Sequence, residues 1–328
     1  MRRALFVRNN KDRWKEFEDL LNSPGKKDPD KLSDLFIRVT DDLSYVNTQY
    51  PGSDTANYLN GLASKVHLEI YRNKKESRKR MITFWTREVP LIFFKHRMPL
   101  LYSFVIFTVA ILIGVVSAQN DDGFVRLILG NEYVDMTLRN IENGEPMGVY
   151  GQIQQFDMFF MITLNNIMVS FRTFIWGSIL GGIPLFILLS FGTGFFLFYN
   201  GVMLGAFQYM FYDKGLLMES FLTIWIHGTI EISAIIMAGA AGIAAGNSFF
   251  FPGSYGRIDS LIRGFKDGIK MVLGLIPLFI IAGFLESFIT RLFDLSSILK
   301  ALIILASLTF IIFYFIVYPR KVARKHGN

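Results

Sequence analysis

The stretch Phe221–Gly246, FLTIWIHGTIEISAIIMAGAAGIAAG, decides the fold of this chain. It is a run of 26 residues whose only ionisable side chains are His227 and Glu231. A helix that crosses the hydrocarbon core of a bilayer, about 30 Å thick, needs roughly 20 consecutive, predominantly apolar residues. The stretch therefore predicts a membrane-spanning helix, and its two ionisable residues mark the first candidate site.

Five other stretches are long and apolar enough to form further spans. The sequence thus predicts an all-α fold: a polytopic membrane helical bundle of about six transmembrane helices over residues 98–318. The predicted spans are 98–118, 158–178, 183–209, 221–246, 269–289 and 298–318. Segment 158–178 has a rival interpretation as a short re-entrant segment ending near Arg172, since broken backbone is tolerated at membrane depth where protein covers it.

The composition of the whole chain agrees with a membrane protein. Of its 328 residues 52% are hydrophobic and 19% charged, and the mean hydropathy is +0.36. A soluble protein carries about 25% charged residues. This excludes a disordered chain and a nucleic-acid-binding domain, despite a sequence pI near 9.4. The chain has no cysteine, which excludes disulfides, thiol chemistry and thiolate metal sites.

The distribution of charge predicts the topology. Residues 1–97 carry a net charge of +7, the stretch 119–157 carries −5, and residues 158–328 carry +5. Cytoplasmic segments beside membrane spans are enriched in Lys and Arg. We therefore expect both termini to be cytoplasmic, including a basic tail at 319–328, and we expect 119–157 to form an external loop containing a helix or two.

The segments before the first span predict a small helical domain and a basic linker. Apolar residues at helical spacing indicate three helices within a cytoplasmic domain at 1–72. Residues 73–97 interleave basic and aromatic side chains, a pattern typical of an interfacial helix on an anionic leaflet, with 74–97 as the lipid-contacting part. The alternative is a solvated basic face of the soluble domain. A second interfacial helix is expected within 247–268.

A few polar residues fall inside the predicted spans, where an ionised side chain costs at least about 2.5–3.5 kcal/mol. They define a midplane polar site, with Glu286 as a secondary member: Asn165, Asn166, Arg172, Asn200, His227 and Glu231. Such residues must face the protein interior and find partners. Two interpretations stay open: a relay, binding or acid–base site, and a buried polar network that fixes helix packing.

The sequence carries no complete catalytic or cofactor motif. His227 and Glu231 lie one helical turn apart, but a metal ion needs at least one more ligand, and no other histidine lies in a span. Zinc-protease, nucleotide-binding and nucleophile-elbow patterns are missing from the sequence. We therefore expect no enzyme activity, no metal and no cofactor.

Small residues recur every four positions on three of the predicted spans. Such stripes permit close helix approach, within one bundle or at a homodimer seam. The residues are Gly177, Gly181, Gly201, Gly205, Ala238, Gly242 and Gly246.

Several short motifs resemble the stage II sporulation protein M family of integral membrane proteins. They are Trp14 in its helix, Tyr58-Leu59-Asn60-Gly61-Leu62, Asn165-Asn166, Asn200-Gly201-x-x-x-Gly205, His227-Gly228-x-x-Glu231 and Ala282-Gly283-Phe284-Leu285-Glu286-Ser287. The resemblance covers nearly the whole chain. It implies a non-enzymatic anchor in the bacterial cytoplasmic membrane that localises peptidoglycan-degrading partners, and relatives are often found beside MoxR-type ATPases.

Two functional hypotheses follow. The first is an inner-membrane scaffold whose loop 119–157 recruits an envelope protein and whose cytoplasmic domain meets a partner such as an ATPase. The second is a transporter or lipid-handling protein that uses the polar site inside the membrane.

Overall fold

The structure of the protein is a computed structural model, and every regular element of its described residues is a helix. It describes residues 3–23, 28–72, 78–121, 123–146, 148, 154–180, 191–292 and 295–326. The described chain divides into two compact units, 1–80 and 81–328.

The first unit contains the three helices that the apolar periodicity predicts. They are α1 (Arg3–Asn22), α2 (Pro29–Gln49) and α3 (Asp54–Arg72). The α2 helix begins at an Asp28 cap, whose side chain accepts a hydrogen bond from the backbone N–H of Asp30. Residues at helical spacing fill the core of the unit, with Phe17, Val39 and Leu59 fully buried.

A buried carboxylate links α1 to α2 within this unit. Asp42 accepts hydrogen bonds from the Arg13 guanidinium and, at 2.7 Å, from the indole N–H of the buried Trp14. Hydrogen bonds to a charged group contribute about 1.5–3 kcal/mol, and a buried donor left without a partner costs a further penalty. The packing of α1 against α2 therefore depends strongly on the Asp42 carboxylate.

We expect Asp42→Ala to destabilise the first unit by about 2–4 kcal/mol, since it leaves the Trp14 indole N–H buried without an acceptor. Hydrogen exchange followed by mass spectrometry on the full-length protein should show faster exchange throughout α1–α3. The neighbouring exposed Asp41 provides the control, and Asp41→Ala should leave this protection unchanged. Equal effects of Asp42→Ala and Asp41→Ala would contradict the claim that the hydrogen bonds of Asp42 stabilise the first unit.

The second unit is built from long apolar helices. Five of them in the described chain are long and apolar enough to cross a membrane: Arg97–Asn120, Gln155–Ile175, Leu217–Phe250, Arg257–Ile289 and Ser297–Lys325. They correspond to five of the six predicted spans, so the predicted all-α polytopic bundle is confirmed. The third predicted span, 183–209, begins outside the described residues and continues in α10 (Phe191–Asp213), an apolar helix of 23 residues.

The helix α9 (Gln155–Leu180) covers the whole of the predicted span 158–178. It is continuous for 26 residues and passes Arg172 without a break. At 1.5 Å per residue this length exceeds the hydrocarbon thickness. The described helix therefore has no break near Arg172, and its stretch Gln155–Ile175 is long and apolar enough to cross a membrane.

The central helix is α11 (Leu217–Phe250), and most of its apolar stretch is buried by its neighbours. Around it pack α6 (Arg97–Asn120), α9, α10, α12 (Arg257–Phe284) and α13 (Ser297–Ile312). Ala238, Gly242 and Gly246 are all buried on α11. A Cβ added at Gly242 would overlap the Thr193 hydroxyl of α10 and crowd the backbone of α9. This glycine therefore serves packing within the chain.

The glycines of α10 allow an equally close approach to α6. A Cβ added at Gly201 or Gly205 would meet the backbone of α6, and one added at Gly114 of α6 would overlap the Val202 carbonyl. The stripe on α10 is therefore an intramolecular seam. Gly177 and Gly181 lie outside the residues whose side chains are described.

The basic segment 73–97 differs from a simple interfacial helix. It contains α4 (Arg78–Thr83), a π-helical turn at Phe84–Glu88 and α5 (Val89–Lys95). Val89, Ile92 and Phe93 are buried in the core around α11, because α5 packs against α12 and the C-terminal helices. The second half of the segment thus belongs to the bundle, whereas Met81 and Ile82 stay exposed.

Two other segments join the bundle more closely than expected. Residues 257–268 form the first turns of α12, so no separate interfacial helix precedes this span. The predicted loop 119–157 does contain two helices, α7 (Phe124–Leu129) and α8 (Asn131–Glu142). Val134 of α8 packs with Met210, Phe211 and Ile224 at the facing ends of α10 and α11. The last described helix is α14 (Tyr318–His326), which holds much of the predicted basic tail.

Candidate functional site

The structure gathers three ionisable side chains within the membrane-spanning unit. His227 and Glu231 lie one turn apart on α11, and Glu286 reaches them from the end of α12. One ligand atom from each of the three lies within 4.8 Å of the other two. His227 Nε2 is 3.9 Å from Glu286 Oε1. Glu286, a secondary residue in the sequence analysis, is therefore a full member of the site.

The position of Glu286 depends on a π-helical turn. Residues Leu285–Ile289 form this turn, and the backbone N–H of Thr290 donates to the carbonyl of Leu285, five residues earlier, at 2.8 Å. Inserting a π turn rotates the following residues relative to a regular α-helix, and such turns are common at functional sites. The turn orients the end of α12 so that Glu286 faces α11.

Thr290 also fixes the orientation of the His227 ring. Its hydroxyl donates to the Leu285 carbonyl at 3.1 Å and lies 3.0 Å from His227 Nδ1. A hydroxyl has one hydrogen to donate, so towards His227 it acts as the acceptor. The proton of the neutral imidazole therefore lies on Nδ1, and the Nε2 lone pair is directed towards the Glu286 carboxyl group.

Asn166 of α9 completes the polar contacts of Glu231. Its side-chain amide lies beside the Glu231 carboxyl group. Asn166 is only 6% exposed, so this contact is shielded from solvent. A buried polar group without a partner costs free energy comparable to a lost hydrogen bond. The Glu231 carboxyl group is therefore the partner of this buried amide.

A cavity of about 430 Å³ adjoins the cluster. His227, Glu231 and Asn200 line its polar part, while the rest of the wall is apolar and aromatic. The apolar lining includes Phe107, Ile128, Leu129, Met203, Leu204, Phe207, Ile232 and Ile235. Such a mixture, mostly apolar with a few convergent polar groups, is characteristic of small-molecule and cofactor sites.

The helices of the loop 119–157 cover this cavity. Ile128 and Leu129 of α7 and Tyr133 of α8 form part of its wall. Burial raises the pKa of the Tyr133 phenol; a hydrogen bond with Thr137 opposes the rise, and the nearby Glu286 charge adds to it. The loop therefore reaches the electrostatic environment of the cluster and forms part of the site.

The remaining predicted residues lie elsewhere. Asn165 and Arg172 of α9 have exposed side chains, so neither belongs to the cluster. Arg172 can keep its guanidinium at the membrane surface while its apolar stem follows the helix, so it needs no buried partner. Asn200 lines the cavity, but its amide donates to the Phe196 carbonyl of its own helix at 2.8 Å.

The sequence analysis missed Thr290 and Tyr133. Thr290 directly follows the predicted span 269–289, and Tyr133 lies within the loop 119–157. Thr290 follows the motif at 282–287 without being part of it, and only the packing of α8 and of the π turn against α11 brings the two residues to the cluster. No signal in the sequence identifies them.

The chemistry of the cluster favours binding a positive charge. It presents two carboxyl groups and one neutral imidazole in an apolar setting, where like charges repel strongly. Among the described residues, the only basic side chain within ion-pair distance of either glutamate is that of His227, whose Nε2 is 3.9 Å from Glu286 Oε1. Lys300 donates to the Thr223 hydroxyl, one turn before His227, at 3.1 Å. A proton, a metal ion or a cationic group would offset the charge of the site.

Comparison with known protein families matches this part of the chain. Residues 103–291, more than half of the protein, match the family described as Stage II sporulation protein M. The chain belongs to this family. The matched region contains every member of the cluster and confirms the resemblance expected from the motifs within it, whereas the motifs at Trp14 and at 58–62 lie outside the match.

The N-terminal unit of this stage II sporulation protein M family member has a match of its own. Residues 4–72 match a domain of unknown function (DUF8413), a range that coincides with α1–α3. No curated protein and no solved structure gives a match to the chain. Family membership therefore establishes a membrane protein class, and the function has to be argued from the site.

Proposed function

We propose that this protein is a lipid-handling membrane protein that holds an amphipathic molecule in the cavity beside His227, Glu231 and Glu286. The cavity carries the argument: its apolar wall suits an acyl or isoprenoid chain, and its polar end suits a head group that carries a cation or hydrogen-bond donors. The cluster would contact the head group, and α7 and α8 would cover it. The proposal assigns no bond-breaking step to the protein.

The free-energy cost of placing ionisable groups within membrane helices supports a functional role for the cluster. Ionisable residues within membrane helices are expensive and mark ligand or ion pathways in many membrane proteins. Three of them converge here beside a cavity, with one histidine oriented by Thr290. Helix packing alone would be served by neutral hydrogen-bonding residues such as Ser, Thr and Asn.

Gly228 offers a direct test because it lines the cavity and its neighbours leave room for a side chain. A Cβ at this position would make ordinary contacts, 3.6 Å from Ile232 and 3.7 Å from Ile224. We expect Gly228→Phe to fill the cavity and to remove most of the lipid that survives extensive detergent exchange, as measured by native mass spectrometry.

Gly194 of α10 is the matched control, since a Cβ there would meet nothing within 4 Å. Gly194→Phe should retain the wild-type amount of bound lipid. If Gly228→Phe elutes as a folded protein and still holds that amount, the cavity is not the binding site and the proposal is wrong.

A second candidate function is the scaffold, which family membership favours. The folded α7–α8 pair presents an outer face with exposed Glu132, Arg139 and Glu142, and Leu127 is 77% exposed. On this proposal the face recruits an envelope protein, and the N-terminal unit meets a cytoplasmic partner such as an ATPase. Both proposals include a bacterial cytoplasmic membrane location with cytoplasmic termini.

A further inference from the structure

The cluster has the composition of a metal site. A histidine nitrogen and two carboxylate oxygens are the ligand types of many zinc, iron and manganese centres. The sequence pairs only two ligands, His227 and Glu231, and the structure adds Glu286 as the third. We propose that His227, Glu231 and Glu286 bind one divalent transition-metal ion within the membrane-spanning unit.

The distances require little rearrangement. Three ligand atoms at the corners of a triangle with 4.8 Å sides lie about 2.8 Å from its centre. Zinc bonds to nitrogen and oxygen measure about 2.0–2.2 Å. Each ligand atom would therefore move by less than about 1 Å, a shift that side-chain rotation of the two glutamates provides.

The surroundings of His227 match those of a metal-binding histidine. Such residues typically donate their other ring N–H to a fixed acceptor, which sets the tautomer and the ring orientation. Thr290 supplies this acceptor at 3.0 Å from Nδ1, and the hydrogen bond of Thr290 to the Leu285 carbonyl fixes the hydroxyl in turn. The Nε2 lone pair therefore points to the side where Glu286 lies.

Asn166 supplies an outer contact to one of the ligands. Its amide is more than nine-tenths buried and lies beside the Glu231 carboxyl group. At a metal site this amide would hold the second oxygen of the Glu231 carboxylate, or a bound water, and so complete the coordination shell. An ion would also offset the two carboxylate charges in an apolar setting.

The site is a poor match for calcium or magnesium. Calcium takes six to eight oxygen ligands, and magnesium keeps several waters in a near-octahedral shell of oxygens. An imidazole nitrogen beside two carboxylates favours the transition metals instead. Zinc is therefore the probe for the test, and cobalt is its spectroscopic substitute.

The test is metal binding by the full-length protein, purified with a tag that carries no histidine. After chelation and removal of the chelator, the wild type should bind about one Zn²⁺ per chain, measured by elemental analysis and by competition with a fluorescent chelator. Glu286→Gln should weaken the affinity at least 100-fold, and Asn166→Ala about 10-fold. Cobalt should give the visible bands of a low-coordinate site in the wild type and not in Glu286→Gln.

The controls separate metal binding from folding and from lipid binding. Glu219→Gln removes an exposed acidic residue of α11 and should bind Zn²⁺ as the wild type does. Added Zn²⁺ should raise the Tm of the wild type and leave that of Glu286→Gln unchanged. Gly228→Phe should lose lipid yet keep zinc, so the failure of one proposal is distinguishable from the failure of the other.

Two results would overturn the metal site. In the first, the wild type and Glu219→Gln both elute as folded proteins, and each binds less than about 0.1 Zn²⁺ per chain. The other is equal zinc affinity in the wild type and Glu286→Gln.

Discussion

Gly205→Val should abolish the folded membrane-spanning unit. A Cβ at this position would overlap the Ile111 carbonyl and crowd the backbone of Gly114 and Val115, so α6 and α10 would have to separate. Overpacking a core costs about 1–3 kcal/mol even when side chains can adjust. Here backbone atoms block the new side chain, and we expect a loss of more than about 3 kcal/mol.

The measurement for Gly205→Val is the Tm and the size-exclusion profile of detergent-solubilised protein. Gly194→Val is the matched control on the same helix, because a Cβ at Gly194 meets open space. It should leave both readouts unchanged, or raise the Tm slightly by removing a flexible glycine. A folded Gly205→Val protein with the wild-type Tm would contradict the close packing of α6 and α10.

Glu286→Gln should remove ligand binding while making the ligand-free protein more stable. Two carboxyl groups close together in an apolar environment repel when both are ionised, so ionisation costs free energy there, and a neutral amide of the same shape removes this cost. After chelation and detergent exchange we expect a gain of roughly 1–2 kcal/mol, which corresponds to a Tm rise of about 2–5 °C for a unit of this size. Glu231→Gln should behave in the same way.

The sign of the Tm change distinguishes a binding site from a structural network. If the cluster served packing alone, removing one charged partner would destabilise the protein by about 3–5 kcal/mol. A fall in Tm for both Glu286→Gln and Glu231→Gln, with bound lipid and metal unchanged, would therefore assign the cluster to folding. Functional residues are often held at a cost in stability, so a gain in Tm with a loss of ligand is the expected outcome.

Much of the fold is predictable from the sequence because it follows from local periodicity and hydropathy. The helices α1–α3 have apolar residues at helical spacing and, in α2, an Asp cap followed by Pro. The spans are uninterrupted apolar runs, and the small-residue stripe of α10 correctly indicates close packing. The apolar side of α5, however, looks the same whether it faces lipid or protein, so its burial cannot be read from periodicity.

The cluster is only partly predictable, since it depends on how the helices are offset along their axes. Hydropathy places His227 near the middle of one span and Glu286 near the end of another. The α11 helix is 34 residues long and starts before its apolar run, which brings His227 level with the end of α12. The π turn at Leu285–Ile289 then sets the direction of Glu286, and no local sequence rule predicts it.

Arg172 is a residue that the sequence analysis assigned to the site and that the structure places outside it. An arginine in an apolar run suggests a buried partner, because an ionised group at the bilayer centre is costly. Its long side chain can instead reach the membrane surface, and the structure leaves it exposed. The sequence alone does not distinguish these two outcomes, whereas the buried Asn166, six residues earlier on the same helix, does contact the site.

The most direct test of the central claim, that the cavity beside the cluster holds a ligand, is purification from native membranes in mild detergent. Mass spectrometry should then identify lipids, small molecules and proteins that remain bound. We expect a defined amphipathic molecule at about one per chain in the wild type, which Gly228→Phe loses. A wild-type protein that retains no such molecule but carries a stoichiometric envelope protein or ATPase would contradict the claim and leave the scaffold as the function.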